Sequence, residues 1–280
     1  MKSTRAAIHR KFHTLPALRF NDQKLTSFAG IVIWQSLFKR LDVKRSLTRC
    51  FAHLSSSSTY GHGVIMMLLI IHLVLGYRRL KDIRYYADDS LVQRALGLTT
   101  LPDAATISRH LASMDEHSVE NLRGYNRDQV LQRLAGLKLS RITLDFDGSV
   151  IGTCRFAEGT AVGFNKKKKG QRSYYPLFCT VAQSGQVLDV WHRPGNVHDA
   201  NGAKAFIQDC IETLRAALPR VLVEVRMDSA FFSDEIVSML DKVDVEYTIS
   251  VPFERLPALK QQVDDREHWN RLSSRWSFFE

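Results

Sequence analysis

Two acidic positions could do chemistry, one in Leu144-Asp145-Phe146-Asp147-Gly148-Ser149 and one in Arg226-Met227-Asp228-Ser229. Both end apolar runs whose alternation is that of a strand, and in the first the period of two puts Asp145 and Asp147 on one face. A carboxylate beside an apolar strand is costly unless a partner compensates it. A divalent cation is one such partner, since Mg²⁺ takes one or two carboxylates plus water and phosphate oxygens. An Asp followed by Gly or Ser is also a common turn former that hydrogen-bonds its own backbone. Either Asp alone fits both readings. Asp147 and Asp228 brought together on neighbouring strands favour the cation, despite lying 81 residues apart (228 − 147).

Between these acids lies Asn165-Lys166-Lys167-Lys168-Lys169-Gly170-Gln171-Arg172, inside residues 159–188, which contain no acidic residue. Lys166, Lys167, Lys168, Lys169 and Arg172 would neutralise DNA phosphates and make binding depend steeply on salt. Tyr174 and Tyr175 could stack on bases, but packing in a sheet is the preferred reading for them. In Arg193-Pro194-Gly195-Asn196-Val197-His198-Asp199, His198 could position a phosphate at a helix start, although bracing the loop is favoured. Asp199 is expected to cap the helix that follows.

The elements that must position these groups fall into two textures. Up to about residue 137 the apolar spacing is helical: Phe28, Ile31, Val32, Phe38 and Leu41 recur in helix phase, and residues 64–75 form a central buried helix after a polar break at 55–59. Shorter helices are expected over 80–87 and 106–114, and a longer one through Val119, Leu122, Val130, Leu131 and Leu134. From Leu139 onward the runs are short and β-branched. Strands are expected over 141–147, 174–182, 187–193, 221–227 and 245–251, with a hairpin turn at Gln183-Ser184-Gly185 and helices over 200–218 and 233–240. The result is an α+β chain: a helical domain over 1–137, then over 138–252 a mixed α/β core whose strand order fits a ribonuclease-H-like sheet, then residues 253–280.

The composition agrees. The 280 residues carry 39 Lys and Arg against 29 Asp and Glu, a formal charge of +10 that points to an anionic partner, nucleic acid or an acidic membrane surface. Cys50, Cys154, Cys179 and Cys210 form no Cys-x-x-Cys pair, which argues against a zinc site or disulfide framework and suits a reducing cytoplasm. The longest apolar run spans 12 residues where a membrane helix needs about 20. The lysine block also lacks the amphipathic helix that interfacial anchoring requires.

Four blocks then carry a resemblance: Asp145-Phe146-Asp147-Gly148-Ser149-Val150, Gly163-Phe164-Asn165 with its lysines through Gly170, Arg193-Pro194-Gly195-Asn196-Val197-His198, and Arg226-Met227-Asp228-Ser229-Ala230-Phe231. In this order they resemble the DDE transposases of bacterial insertion sequences, over about residues 141–251. The stretch from Leu101 to Arg109 is similar to a segment upstream of the family's core. The resemblance implies a site of two aspartates and a glutamate holding two Mg²⁺ or Mn²⁺ ions that cleave and transfer DNA strands. By motif position the acids are Asp147, with Asp145 as fallback, and Asp228.

It further implies double-stranded DNA, both transposon ends and target, as partner, and a homodimer on paired ends. Thr106-Ile107-Ser108-Arg109-His110-Leu111 resembles the second helix of a helix-turn-helix, so Ser108 and Arg109 become DNA-contact candidates. One departure matters: Glu254, Glu267 and Glu280 are the only glutamates after the last expected strand, and none has the family's surroundings. Residues 253–280 resemble the start of an insertion, so the core is expected to be incomplete. Three outcomes follow: a transposase, a nuclease of the same fold without strand transfer, or a silent DNA-binding remnant.

Overall fold

The computed structural model describes residues 26–55, 60–153, 157–163, 165 and 168–278. The chain divides into two compact units, Met1–Tyr125 and Asn126–Glu280.

In the first unit, α1 (Ile31–Arg40), α2 (Val43–Cys50) and α3 (His62–Val74) precede a 3₁₀ turn (Leu80–Tyr85), α4 (Ser90–Leu96) and α5 (Ala104–Ala112). The helix expected over 80–87 is thus a tighter 3₁₀ segment. The expected run through Leu41 breaks after Arg40, because Asp42 takes the left-handed conformation at φ 50° and restarts the chain as α2. Ile65, Leu68 and Ile71 of α3 are fully buried with Leu47, Val92, Leu96 and Ile107. His72, near the end of α3, is buried and bonds the Tyr86 hydroxyl through Nδ1 at 2.6 Å. Gly63 permits the close crossing of α2, since a Cβ there would meet the Thr48 backbone at 2.8 Å. Asp89 and Asp103 cap α4 and α5, accepting from Val92 N–H at 3.0 Å and Thr106 N–H at 2.7 Å.

Helix α6 (Glu116–Leu137) begins at the Asp115 cap. The change from helix to strand comes at its end, near Leu139, as the sequence texture indicates.

The second unit holds the sheet. Its strands are β1 (Arg141–Gly148), β5 (Leu177–Val181), β6 (Gln186–Trp191), β7 (Leu222–Met227) and β8 (Glu246–Ile249), in the order β6-β5-β1-β7-β8. β6, β5 and β1 pair antiparallel, and the Gln183-Ser184-Gly185 turn, with Gly185 at φ 66°, joins β5 to β6. β1, β7 and β8 are parallel, and α7 (Ala203–Ala217) and α8 (Asp234–Val243) lie in the connections to β7 and β8. This is the ribonuclease-H-like order expected.

Ile142, Leu144 and Phe146 of β1 and Val223, Val225 and Met227 of β7 are buried with Phe206, Ile207, Cys210 and Leu214 of α7 and with Val130 and Leu134 of α6. The alternate residues make polar pairs across the strands: Thr143 donates to Glu224 at 2.7 Å, and Arg226 grips Asp145 with two bonds of 2.7 Å.

A second, three-stranded sheet was not foreseen. β2 (Ile151–Gly152), β3 (Ala161–Val162) and β4 (Arg172–Tyr174) pair in the order β2-β4-β3. The single strand expected over 174–182 therefore splits at Tyr175-Pro176, where proline has no N–H for a ladder. Pro194 bridges to Tyr174, and Gly195 donates to Ser173 O at 2.9 Å, which ties the 193–199 loop to this small sheet. After β8 come α9 (Pro257–Asp264) and the pair β9 (Asn270–Arg271) and β10 (Ser277–Phe278). Among the described residues no helix is long and apolar enough to cross a membrane.

Candidate active site

The β1/β7 ladder runs in register to Phe146 opposite Met227, so Asp147, still on β1, and Asp228, directly after β7, come next at the C-terminal ends of adjacent parallel strands. A cavity of about 860 Å³ opens there, lined by Gly148, Lys168, Tyr175, His198, Asp199 and Asp228 among others. Asp147 and Asp228 are solvent-exposed residues. Even so, protein atoms around the Asp147 carboxyl strip part of its hydration, and the negative charges of Asp228 and Asp199 add to this in raising its pKa above the ordinary carboxylate value. The three carboxyls sense one another. Asp228 also behaves as a turn former, since its Oδ1 accepts the Ala230 N–H at 2.9 Å and starts a 3₁₀ turn at Ser229. The turn and cation readings are compatible, because a carboxylate has four lone-pair positions and this bond uses one.

Asp199 is a site residue that the sequence reading assigned elsewhere. It does not cap a helix: α7 starts at Ala203 behind Gly202, which is left-handed at φ 68°, and Asp199 is buried. Its Oδ2 accepts the Tyr175 hydroxyl at 2.8 Å, and Arg193 Nη2 stands 3.7 Å from Oδ1. Burial raises the Asp199 pKa, while the Tyr175 hydroxyl and the Arg193 charge pull it down. Arg193 is only 2% exposed. Its Nη1 reaches the carbonyls of His198, Asp199 and Asn201 at 3.1 to 3.3 Å, and Nε donates to Tyr175 O at 3.2 Å. These carbonyls are where a longer helix would have begun, so the arginine replaces the first helical turn and turns Asp199 inward.

Gly148 completes the fit. A Cβ there would strike the Asp199 carboxylate and come within 2.7 Å of the Tyr175 ring, so only glycine lets the end of β1 lie against this pair. Tyr175→Phe removes the donor to a buried carboxylate oxygen, and a loss of about 1 to 3 kcal/mol in urea unfolding is expected.

A pH effect follows from the same charges. Asp147 and Asp199 hold their protons to higher pH in the fold than in the unfolded chain. Their contribution to stability is therefore present in acid and is lost as pH rises through their folded pKa values. With divalent ions chelated, thermal melts from roughly pH 4 to 7 are expected to show a shallower loss in Asp147→Asn than in the wild type.

The other site candidates are dispersed. Asp145, on the same face as Asp147, gives both oxygens to Arg226 and is held as an ion pair. Lys168 lines the cavity, and its N–H donates to Asn165 Oδ1 at 3.0 Å, while Lys169 is exposed. Lys166 and Lys167 lie outside the described residues. Arg172 is turned inward, with Nε donating to Thr160 Oγ1 at 2.9 Å and a second bond to Thr160 O. Tyr174 packs on His192 with ring centroids 4.4 Å apart, in line with the sheet-packing reading, whereas Tyr175 lies between the strands and lines the cavity. His198 braces its own loop, its Nδ1 accepting from Ala200 N–H at 3.4 Å. Ser108 and Arg109 are exposed on α5, in the first unit. Among the described residues no set of three or more His, Cys, Asp or Glu side chains is arranged to hold a metal. Glu254 and Glu267 are exposed beyond β8, and Glu280 lies outside the described residues.

A family model described as "Transposase DDE domain group 1" matches residues 11–275. No curated protein sequence matches the chain. Among solved structures it is similar to a Mos1 transposase paired-end complex with left transposon end, at 12% identity over 75% of this chain and 72% of that one, with a TM-score of 0.30. It is similar to a piggyBac transposase in a synaptic complex with hairpin DNA, at 14% identity over 78% of this chain and 49% of that one, TM-score 0.35. A Drosophila P element transposase strand transfer complex is similar at 10% identity over 82% and 50%, TM-score 0.36. The chain spans about half the length of the last two.

Proposed function

Because this chain belongs to the DDE transposase domain family, group 1, we propose that it cleaves and joins DNA by phosphoryl transfer at Asp147 and Asp228. The observation that supports this most is the shared end of β1 and β7, where the Asp147 pKa is raised partly by the charge of Asp228. Two hard carboxylate donors whose charges repel suit Mg²⁺ or Mn²⁺, which would complete its coordination with water and phosphate oxygens. Bound there, a divalent ion would lower the pKa of an attacking water or 3′-hydroxyl and stabilise charge on the phosphate.

The chain's own groups do the rest. Lys168 at the cavity, with the exposed Lys169 next to it in sequence, neutralises phosphates, and Gly148 leaves room for Asp199 and Tyr175 to fix the end of β1. Asp145 contributes through Arg226, as part of the sheet's register. The region 1–137 serves end recognition, with Ser108 and Arg109 offered on α5, 138–252 forms the core, and 253–280 begins an insertion. Pairing of two transposon ends by a homodimer belongs to the same reading, on family membership alone.

The test is nicking of supercoiled plasmid, followed by joining of a transposon end to a target duplex. The wild type is expected to nick DNA only with Mg²⁺ or Mn²⁺, and Asp147→Asn and Asp228→Asn are expected not to. Nicking without joining would identify a nuclease of this fold. DNA binding that survives both substitutions, with no cleavage by the wild type, would identify a silent binder.

A further inference from the structure

The first unit carries a polar cavity that the proposed chemistry does not use. It is an open concavity of about 340 Å³ lined by Ser55, His62, Thr106, Arg109, His110 and Ser113, together with Leu54. No carboxylate lines it. The nearby acids in sequence are committed elsewhere: Asp103 caps α5 through Thr106 N–H, and Asp115 accepts from Ser118 N–H at 2.8 Å and pairs with His53 at 2.9 Å.

The donors are arranged by their own hydrogen bonds. Ser113 Oγ gives its one proton to His110 O at 2.9 Å, so in its 3.0 Å contact with His62 Nε2 it accepts, and the His62 Nε2 carries a proton. The His62 and His110 rings meet edge to face at 4.8 Å, and Phe51 stacks on the other side of His62. Arg109 uses Nη2 on Thr106 Oγ1 at 3.0 Å and Nε on Ala105 O at 3.4 Å, out of five guanidinium donors. Around one space, then, stand a permanent cation, two imidazoles and three hydroxyls. His62 is also the first residue of α3, whose start has no side-chain cap and no acid in its first turn.

We infer that this cavity is a binding site for a phosphate oxyanion, and specifically for one phosphodiester of the DNA backbone beside α5. The inference rests on the reading of DNA as partner given above. Arg109 supplies the planar donor pair that phosphate recognition favours. The protons of Ser113 and of His62 Nε2 are already used inside the lining, so the further donors are the Ser55 hydroxyl and the guanidinium N–H groups beyond those on Thr106 and Ala105. The volume admits a phosphate with several waters, each taking about 30 Å³. A phosphodiester, with one negative charge, matches the single permanent positive charge of the lining. An anion would also relieve the crowding of His62, which burial and the neighbouring His110 and His53 hold below the ordinary imidazole pKa.

Two measurements on the full chain test this. In the first, inorganic phosphate is titrated at fixed ionic strength while the ring resonances of His62 and His110 are followed by NMR. Saturable shifts are expected in the wild type, with affinity at least about tenfold weaker in Arg109→Gln, an exposed position where folding is preserved. In the second, duplex binding is followed by fluorescence anisotropy against salt. Arg109→Gln is expected to weaken binding about tenfold and to reduce the slope of log K against log salt by about one, whereas His62→Gln, which removes no permanent charge, is expected to weaken binding with the slope unchanged.

Lys168→Gln with Lys169→Gln, in the other unit, is the control for DNA binding as such. If it weakens duplex binding while the Arg109 and His62 variants keep the wild-type affinity and slope, the inference is overturned and the DNA reading stands. Phosphate shifts without any change in duplex slope in Arg109→Gln would mean a free-phosphate site and overturn the assignment to DNA. Absence of any duplex binding by the wild type would instead overturn the DNA reading, and this assignment with it.

Discussion

Asp147→Asn and Asp228→Asn are each expected to lower divalent-ion-dependent DNA cleavage by about a thousandfold or more, with the fold retained. A bound metal stabilises transition-state charge by several kcal/mol, and each 1.36 kcal/mol is about a factor of ten in rate. An amide keeps the shape of the carboxylate but removes the charge that attracts the ion. The structural cost is small, because both side chains are solvent-exposed and, in Asp147, the lost charge is one that its neighbours oppose. The diagnostic pattern is therefore inactivity with an unchanged or raised melting temperature in chelator. Calorimetric titration with Mn²⁺ provides the second readout: heat of binding is expected in the wild type and not in either variant. Equal cleavage by the wild type and both Asn proteins would remove these residues from the chemistry.

The largest stability effect is expected at Arg193. Arg193→Ala takes a donor from the carbonyls of Tyr175, His198, Asp199 and Asn201, of which His198 keeps the Asn201 N–H, and removes the guanidinium beside the buried Asp199. Removing one member of a buried ion pair costs about 3 to 5 kcal/mol. For a domain of this size each kcal/mol moves the melting temperature by about 2 to 4 °C, so a fall on the order of 10 °C is expected. Arg193→Lys is expected to restore little of it. One ammonium cannot reach carbonyls on both sides of the loop as a planar guanidinium does. A melting temperature within about 2 °C of wild type in Arg193→Ala would mean that the loop is held by other contacts.

Much of this arrangement was legible from residue order. The alternation in β1 and β7 is strict enough to identify both strands and the acids that end them, and the hairpin turn and the stripe of α7 are equally direct. Element ends were less legible, and so was whatever depends on contacts between distant segments. Nothing local in Tyr174-Tyr175-Pro176 says that β4 joins a separate sheet, although Pro176 marks the break. Short helices such as α2 and α4 carry too few turns to show a period.

The Asp199 assignment failed for an instructive reason. An acid just before an apolar helix is ordinarily a cap, and only the three-dimensional placement of Arg193, which takes over the carbonyls of that turn, converts it into a buried neighbour of Asp147. The available signal was Arg193 itself, a charged residue two positions after a strand and directly before Pro-Gly. Of the lysine block, the sequence indicates charge but not which residue faces the cavity. Lys168 does so because the turn at Asn165 holds its backbone.

The polar rungs of the parallel ladder have a consequence of their own. Thr143 with Glu224, and Asp145 with Arg226, match strand to strand like the teeth of a rack, and the next step along that rack is the pair Asp147 and Asp228. A slip by one residue would send every side chain of β7 to the opposite face and carry the second acid away from the first. Alignment of the two carboxyls is thus gauged several residues upstream, by polar teeth that never meet the substrate.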